Sequence, residues 1–250
     1  MRDRLIEAFR GMLAAPPSVE LFSSLCDEID GQPDPDPDVL AYLRGHLGRW
    51  PSSMRRRAPA RWAARIAVGE PMPAAVLCDE LVFEDARSLE VLPDACVGVR
   101  HLSLAYCEGV DLARLVGSAR APRTLDVRYT GMTDAQFASL IRGPRLSGLT
   151  ELHAQGNALT AASAHALAEV THIERLRLLD LRHNAVGSSG AYALASASCL
   201  GGLEVLRLHA EDVDGEGVAA LAASRVLPRR VTSWWSEVTR LRERGAWETA

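Results

Sequence analysis

The pattern L-x-x-L-x-L-x-x-N-x-L returns along this chain at a fixed period, and self-similarity at such a spacing limits the possible folds more than any local signal. It reads Leu149-x-x-Leu152-x-Ala154-x-x-Asn157-x-Leu159, then Leu176-x-x-Leu179-x-Leu181-x-x-Asn184-x-Val186, then Leu203-x-x-Leu206-x-Leu208-x-x-Glu211-x-Val213, with starts 27 residues apart. A step of 27 backward gives Pro122-x-x-Leu125-x-Val127-x-x-Thr130-x-Met132, and a further step of 23 gives Val99-x-x-Leu102-x-Leu104-x-x-Cys107. Five units are clear, and a sixth, weaker one begins at Cys78 with Leu81 and Phe83 at its strand-core positions. In each unit two apolar positions alternate with others, as a short strand requires. Helix starts follow at Thr133-Asp134, Thr160, Ser188 and Asp214, where a side-chain oxygen can cap free first-turn amides. Apolar residues then recur at helical spacing: Phe137, Leu140 and Ile141; Ala164, Leu167 and Ala168; Val218, Leu221 and Ala222. One unit cannot bury both its strand and its helix, but stacked units share a continuous core.

Five such units in register resemble the leucine-rich repeat family, in the long-repeat subtype of ribonuclease inhibitor, and the resemblance covers about half of the chain. It implies an α/β fold: a right-handed solenoid with a concave parallel sheet and convex helices. The expected division is a helical N-terminal region or cap over residues 1–75, repeats over 76–227 and a C-terminal cap over 228–250. The family's ladder position, usually an Asn that bonds the backbone of the neighbouring turn, reads Cys107, Thr130, Asn157, Asn184 and Glu211. Glu211 predicts that the ladder ends there.

The ends lack the repeat. Leu5, Phe9, Met12 and Leu13 fit one helix face, Leu21, Phe22, Leu25 and Ile29 a second, and Val39, Leu40, Leu43 and Leu47 a third. Asp30 to Asp38, with prolines at every second position from Pro33 to Pro37, predicts a solvated loop. Seven arginines follow in 22 residues, Arg44, Arg49, Arg55, Arg56, Arg57, Arg61 and Arg65, interleaved with Trp50 and Trp62. Arginine with aromatics suits single-stranded nucleic acid, against which stands a solvated helix surface paired with the acidic loop. Ser236 to Trp247 reads as a capping helix, and the tryptophans outside the repeats, Trp50, Trp62, Trp234, Trp235 and Trp247, as plugs for the open ends of the core.

Composition removes several chemistries. All 28 basic residues are arginine, so no lysine is available for a Schiff base, a phosphate loop or cofactor anchoring. Richness in Ala and Arg without Lys points to a GC-rich, bacterial genome. Residues 1–98 carry 11 Arg against 16 acids and residues 99–250 carry 17 against 16, a balance that disfavours nucleic acid as the partner. The five cysteines, Cys26, Cys78, Cys96, Cys107 and Cys199, are an odd number without C-x-x-C, which fits a reducing cytoplasm. Leu5 to Ala15 is broken as an export signal by Glu7 and Arg10, and no run of about eighteen uncharged apolar residues occurs, so a cytoplasmic, non-membrane chain is expected. No G-x-S-x-G or glycine-rich phosphate loop is present. Cys26-Asp27 and Cys78-Asp79 faintly resemble the nucleophile of bacterial leucine-rich-repeat ubiquitin ligases, without a further catalytic domain to house it.

Residues that alternate with the buried leucines form columns on the exposed face of the stacked strands. The first reads His101, Thr124, Glu151, Leu178 and Val205; the second Ser103, Asp126, His153, Asp180 and Arg207; the third Ala105, Arg128, Gln155, Arg182 and His209. At the strand ends follow Tyr106, Tyr129, Gly156, His183 and Ala210. Asp126 with Arg128, and Asp180 with Arg182, lie two residues apart on one face, so each acid can hold its arginine. Tyr and Arg are the residue types that most often anchor interfaces. The partner-binding residues expected are therefore Tyr106, Asp126, Arg128, Tyr129, His153, Asp180, Arg182, His183, Arg207 and His209, in a non-catalytic, cofactor-free adaptor or inhibitor that binds a protein. A second class of function is nucleic-acid binding through Arg44–Arg65. A third is a metal-dependent hydrolase built on His153, Asp180, His183 and His209, for which the H-x-x-x-H or H-E-x-x-H spacing is missing.

Overall fold

The computed structural model describes residues 2–32, 35–51, 53–54, 56–118 and 122–244. Pro33, Asp34, Arg55 and Trp247 lie outside the described residues.

The chain opens with helix α1 (Arg2–Leu13), which buries Phe9, and α2 (Val19–Asp30), which buries Phe22, Leu25 and Ile29. Ser18 starts α2 by accepting the Leu21 N–H at 3.0 Å. Helix α3 (Pro37–Leu47) buries Val39, Leu40, Leu43 and Leu47 and starts at Asp36, whose carboxylate accepts the Asp38 N–H at 2.8 Å. The proline-rich loop is thus shorter than expected: Asp30 closes α2, and Pro37 and Asp38 open α3. Proline breaks helix interiors but suits the first turn, where its missing N–H would have had no helical acceptor. Helix α4 (Ala60–Ala67) carries Trp62, which is fully buried and donates its indole N–H to Asp30 Oδ1 at 2.5 Å.

Six strands of three residues follow: β1 (Glu80–Val82), β2 (His101–Ser103), β3 (Thr124–Asp126), β4 (Glu151–His153), β5 (Leu178–Asp180) and β6 (Val205–Arg207). They form one parallel sheet in sequence order. Leu81, Leu102, Leu125, Leu152, Leu179 and Leu206 are register partners from strand to strand and all are buried. The weak sixth unit at Cys78 is therefore a full rung. Pairing continues one step before β1, where Arg57 bridges Glu80 in parallel and the Ala58 N–H donates to Glu80 O at 2.8 Å. From Arg57 to Glu80 is 23 residues, the same step as from His101 to Thr124.

Between and after the strands come α5 (Leu112–Ser118), α6 (Asp134–Ile141), α7 (Ala161–Glu169), α8 (Gly187–Ser196), α9 (Gly215–Ala222) and α10 (Arg229–Glu243), each packed on the next from α5 onward. Strand leucines and helix residues such as Phe137, Leu140, Leu167, Leu194 and Leu221 belong to one buried cluster that runs from Phe9 to Val238. Thr133, Thr160 and Asp214 cap α6, α7 and α9 as expected, Thr133 within a capping box closed by Gln136. Ser188 does not cap α8; it lies within the first turn, and its hydroxyl accepts the Asp214 N–H of the next unit at 2.9 Å. Asp134 makes the equivalent tie one unit earlier, accepting the Thr160 N–H at 2.8 Å and the Thr160 hydroxyl at 2.7 Å. Burial opposes the charge of Asp134, yet donors from Ser163 and Thr160 hold its carboxyl below the ordinary value.

Helix α10 begins seven residues before the expected Ser236, directly after Pro228, because Val231, Trp235 and Val238 share one buried face. The expectation that the tryptophans plug the core holds for Trp62 and Trp235, both fully buried, and in part for Trp50, which meets Phe22 edge-on at 6.5 Å. It fails for Trp234, which is 51% exposed, because the neighbouring Trp235 takes the inward face of α10.

The ladder is built as the sequence reads. Asn157 Oδ1 accepts the Thr130 and Met132 N–H groups at 3.1 and 3.0 Å, and Asn184 Oδ1 accepts those of Asn157 and Leu159 at 3.1 and 3.2 Å. Asn184 Nδ2 donates to Ala154, Leu181 and Arg182 carbonyls at 3.0 to 3.2 Å. Thr130 Oγ1 donates to Val127 O at 3.0 Å, and Cys107 Sγ reaches Phe83 O at 3.5 Å. Glu211 is exposed in a 3-10 turn beyond the last rung. Replacing Asn184 strands several buried backbone groups at once, so Asn184→Ala should cost about 3 kcal/mol in urea unfolding, against under about 0.5 kcal/mol for Glu211→Ala. Equal losses for the two variants would remove the ladder from the account of stability.

Candidate functional site

Strand register converts spacing in the chain into adjacency on one face of the sheet. His101, Thr124, Glu151, Leu178 and Val205 are consecutive partners across β2 to β6, and so are Ser103, Asp126, His153, Asp180 and Arg207. Beyond the strands, the Tyr106 N–H donates to Arg128 O, the Tyr129 N–H to Gln155 O and the Gly156 N–H to Arg182 O, at 2.9 to 3.0 Å, which brings the third column together. At its β1 end this face forms a groove of about 430 Å³ whose lining includes Arg57, Glu80, His101, Asp126, Arg128 and His153.

Charges on the face are largely satisfied within it. Arg128 grips Asp126 as a two-pronged fork, Nε to Oδ1 at 3.0 Å and Nη2 to Oδ2 at 2.8 Å. Arg182 grips Asp180 likewise at 3.0 and 2.7 Å, and Arg207 Nη1 adds a contact of 3.4 Å to Asp180 Oδ2 from the next strand. The alternation of a strand puts residues i and i+2 on one side, and the planar guanidinium matches a carboxylate edge. Asp180 is 0% exposed. Burial alone would raise its pKa, but hydrogen bonds from Arg182, the Arg182 charge and Arg207 hold it below the ordinary carboxylate value.

This arrangement bears on the metal reading. Asp180 has both oxygens committed to guanidiniums, His153 Nε2 lies 3.6 Å from Glu151 Oε2, and His209 Nε2 lies 3.1 Å from His183 Nδ1 with the two rings edge-on at 4.2 Å. Among the described residues no group of three or more His, Cys, Asp or Glu is placed to hold a metal ion. The structure brings His183 and His209 together but leaves His153 and Asp180 engaged elsewhere.

The strand-end positions share an unusual backbone. Tyr106, Tyr129, Gly156 and His183 have φ of 65°, 53°, 67° and 56°. That left-handed region costs an ordinary residue about 1 kcal/mol, so each repeat imposes the turn through its own register. The Tyr106 and Tyr129 rings lie parallel, 4° apart in plane with centroids at 5.1 Å. A Cβ at position 156 would sit 2.1 Å from the Tyr129 ring, so Gly156 is the floor on which that ring rests. Tyr106 is 65% exposed, so the free end of the stack is open.

Some functional features were hidden from sequence reasoning. Glu80 is buried and paired at 2.7 Å with Arg57, which belongs to a rung that the leucine pattern does not announce. Thr124 is buried, with its hydroxyl 3.0 Å from His101 Nδ1. The dependence of the tyrosine stack on Gly156 was signalled only by its sharing a repeat position with Tyr129. In the Arg44–Arg65 segment, Arg56 pairs with Asp79, Arg57 with Glu80, Arg61 with Asp27 and Asp30, and Arg65 with Glu70. Their partners are mainly carboxylates around the end of α2 and the start of β1, not the acidic loop as a whole, and four of the arginines proposed to track phosphates are thereby engaged. All five cysteines are buried and free. Desolvation pushes Cys26 up to about 12 and Cys78 well above its ordinary value, so neither offers the thiolate that a nucleophile needs.

A family model described as "Leucine Rich repeat" matches residues 175–195, which include β5 and most of α8. Together with the six-stranded parallel sheet, the match supports a leucine-rich repeat protein. Among solved structures, "Leiomodin-1 Actin-Binding Site 2 (ABS2)" is similar at 13% identity and a TM-score of 0.39, covering 75% of this chain and 99% of that one. A search of curated proteins found no match. No helix among the described residues is long and apolar enough to cross a membrane.

Two measurements check the site's construction. Gly156→Ala places a methyl group inside the Tyr129 ring at a left-handed φ, so it should cost about 1–2 kcal/mol and alter the near-ultraviolet circular dichroism of the tyrosine pair. An unchanged spectrum would show that the stack does not rest on Gly156. Because the folded pKa of Asp180 is lowered, its contribution is present above the unfolded carboxylate value of about 4 and is lost as pH falls through the folded value. Asp180→Asn should therefore lower stability by about 3 kcal/mol at pH 7 while making the acid limb of the stability curve shallower.

Proposed function

We propose that this protein is a non-catalytic recognition module whose sheet face binds a protein partner, and that it acts as an adaptor or an inhibitor. The observation that carries the reading is the combination on one face of self-satisfied Arg–Asp forks with an exposed, pre-stacked Tyr106–Tyr129 pair. Tyr and Arg held in fixed geometry lose little conformational entropy on binding, so their burial converts efficiently into affinity. Six strands at about 4.8 Å spacing span about 24 Å, enough for much of a standard patch of about 800 Å² per partner.

In this reading the sheet lines the concave side of a right-handed solenoid with the helices outside, as in the ribonuclease-inhibitor subtype. The strong preference of parallel strand–helix–strand units for right-handed crossovers supports that hand, and the 27-residue step supports the subtype. Residues 1–75 and 228–250 close the two ends of a core formed by residues 76–227. Contact residues are Tyr106, Asp126, Arg128, Tyr129, His153, Asp180, Arg182, His183, Arg207 and His209. Five free thiols fit a reducing, cytoplasmic setting, and the lysine-free composition a bacterial source.

A pull-down from native lysate with the wild type beside Tyr129→Ala/Arg182→Ala tests the face, with circular dichroism melts as the folding control. Partners captured by the wild type should be lost from the folded variant. Equal recovery of every partner by both proteins would refute the assignment.

A further inference from the structure

We infer that a second site, separate from the contact residues above, binds a phosphomonoester at the N-terminal edge of the sheet. A pocket of about 420 Å³ opens there, between the segment after α3 and the residues that precede the strands. One wall is apolar: Leu47, Trp50, Pro51 and Met54. The other is the run of consecutive rungs Arg56, Asp79, Arg100, Arg123 and Thr150, in which the Arg100 N–H donates to Asp79 O, the Arg123 N–H to Arg100 O and the Thr150 N–H to Arg123 O at 2.7 to 2.8 Å.

The charges of this wall are unevenly satisfied. Asp79 is occupied by Arg56, through the backbone N–H at 2.6 Å and the guanidinium at 3.8 Å. Glu151 at the pocket's margin faces His153. Arg100 and Arg123 are exposed, directly before β2 and β3, and neither guanidinium has a carboxylate or carbonyl partner among the described residues. Like charges on neighbouring strands repel, a cost the open face of this same sheet avoids by pairing each of Arg128 and Arg182 with its own acid. Guanidiniums carried by successive rungs and lining one pocket can both donate to a single anion, and a dianion with three terminal oxygens has acceptors for both. The apolar wall adds a requirement for a hydrophobic body behind the anion, and Trp50, anchored edge-on against Phe22, supplies a flat surface for it. An aryl phosphate, whether a small ester or a phosphorylated tyrosine of a peptide, has this chemistry.

Titration calorimetry of the full chain with phenyl phosphate at pH 7.5 tests the site. Saturable 1:1 binding is expected, weakened about tenfold or more in Arg100→Gln/Arg123→Gln. Arg100→Lys/Arg123→Lys keeps the charge without the fork, and intermediate affinity is expected. Trp50→Leu should weaken phenyl phosphate but not inorganic phosphate. Without ligand, the double Gln variant should melt no lower than the wild type, since it relieves repulsion and breaks no pair; a lower melting temperature would mark a structural role and overturn the inference. Lack of saturation, equal binding by wild type and double Gln variant, or benzoate binding as tightly as phenyl phosphate would also overturn it. A phosphotyrosine peptide that binds about tenfold more tightly than phenyl phosphate assigns the site to a protein ligand, and equal affinity assigns it to a small ester.

Discussion

In-register stacking of very short parallel strands is the constraint on which this molecule depends. A three-residue strand has too few backbone bonds and too little apolar area to persist alone, so each rung exists only because the rung beside it does. The column Leu81, Leu102, Leu125, Leu152, Leu179 and Leu206 gives each rung an apolar reason to keep register, at about 2 kcal/mol per fully buried leucine. Slipping by one residue would turn that column outward and bring Asp126 and Asp180 toward the core. Asn157 and Asn184 add a polar reason, because each bridges backbone groups of two successive turns that the turns cannot satisfy themselves.

The same stacking explains why a face of otherwise ordinary residues becomes an ordered surface. Asp126 and Arg128 lie two residues apart in any extended segment, but only a fixed strand keeps them on one side long enough for a two-pronged contact to outweigh the entropy of holding the arginine. Asp180 goes further, since its complete burial is tolerable only because Arg182 and Arg207 come from two adjacent rungs. The left-handed turns at Tyr106 and Tyr129 are likewise paid for by the repeat, and they aim two aromatic rings along the direction of stacking.

Legibility in the sequence followed the strength of the period. Where units recur every 27 residues, the strand positions, column order, Arg–Asp forks and ladder could all be read, because each depends on register alone. Reading failed where a single residue's conformation or a competing neighbour decides the outcome. Ser188 looks like a cap, but the cap position falls two residues earlier, at Val186, and the Ser188 hydroxyl serves the next unit. Trp234 and Trp235 are alike in sequence, and only the inward face of α10 separates them. The rung at Arg57 carries Ala58 where other units carry leucine, so no apolar pattern marks it. Charge pairing between distant elements, such as Arg61 with Asp27 and Asp30, has no periodic signature at all.

The two regions of exposed arginine differ in a way that separates what each can recognise. On the open face, the forks of Arg128 and Arg182 are committed to Asp126 and Asp180, so the partner proposed for that face would gain from them chiefly stacking and shape, with affinity that depends weakly on salt. At the N-terminal edge, Arg100 and Arg123 have no acid partner among the described residues at two successive rungs, and the anion proposed there would gain both charge neutralisation and relief of their mutual repulsion. Net charge could not have distinguished these situations, because it counts all four arginines alike. What distinguishes them is whether an acid falls two residues before the arginine in the chain, a local fact of sequence that acquires its meaning only once the repeat has fixed which residues share a face.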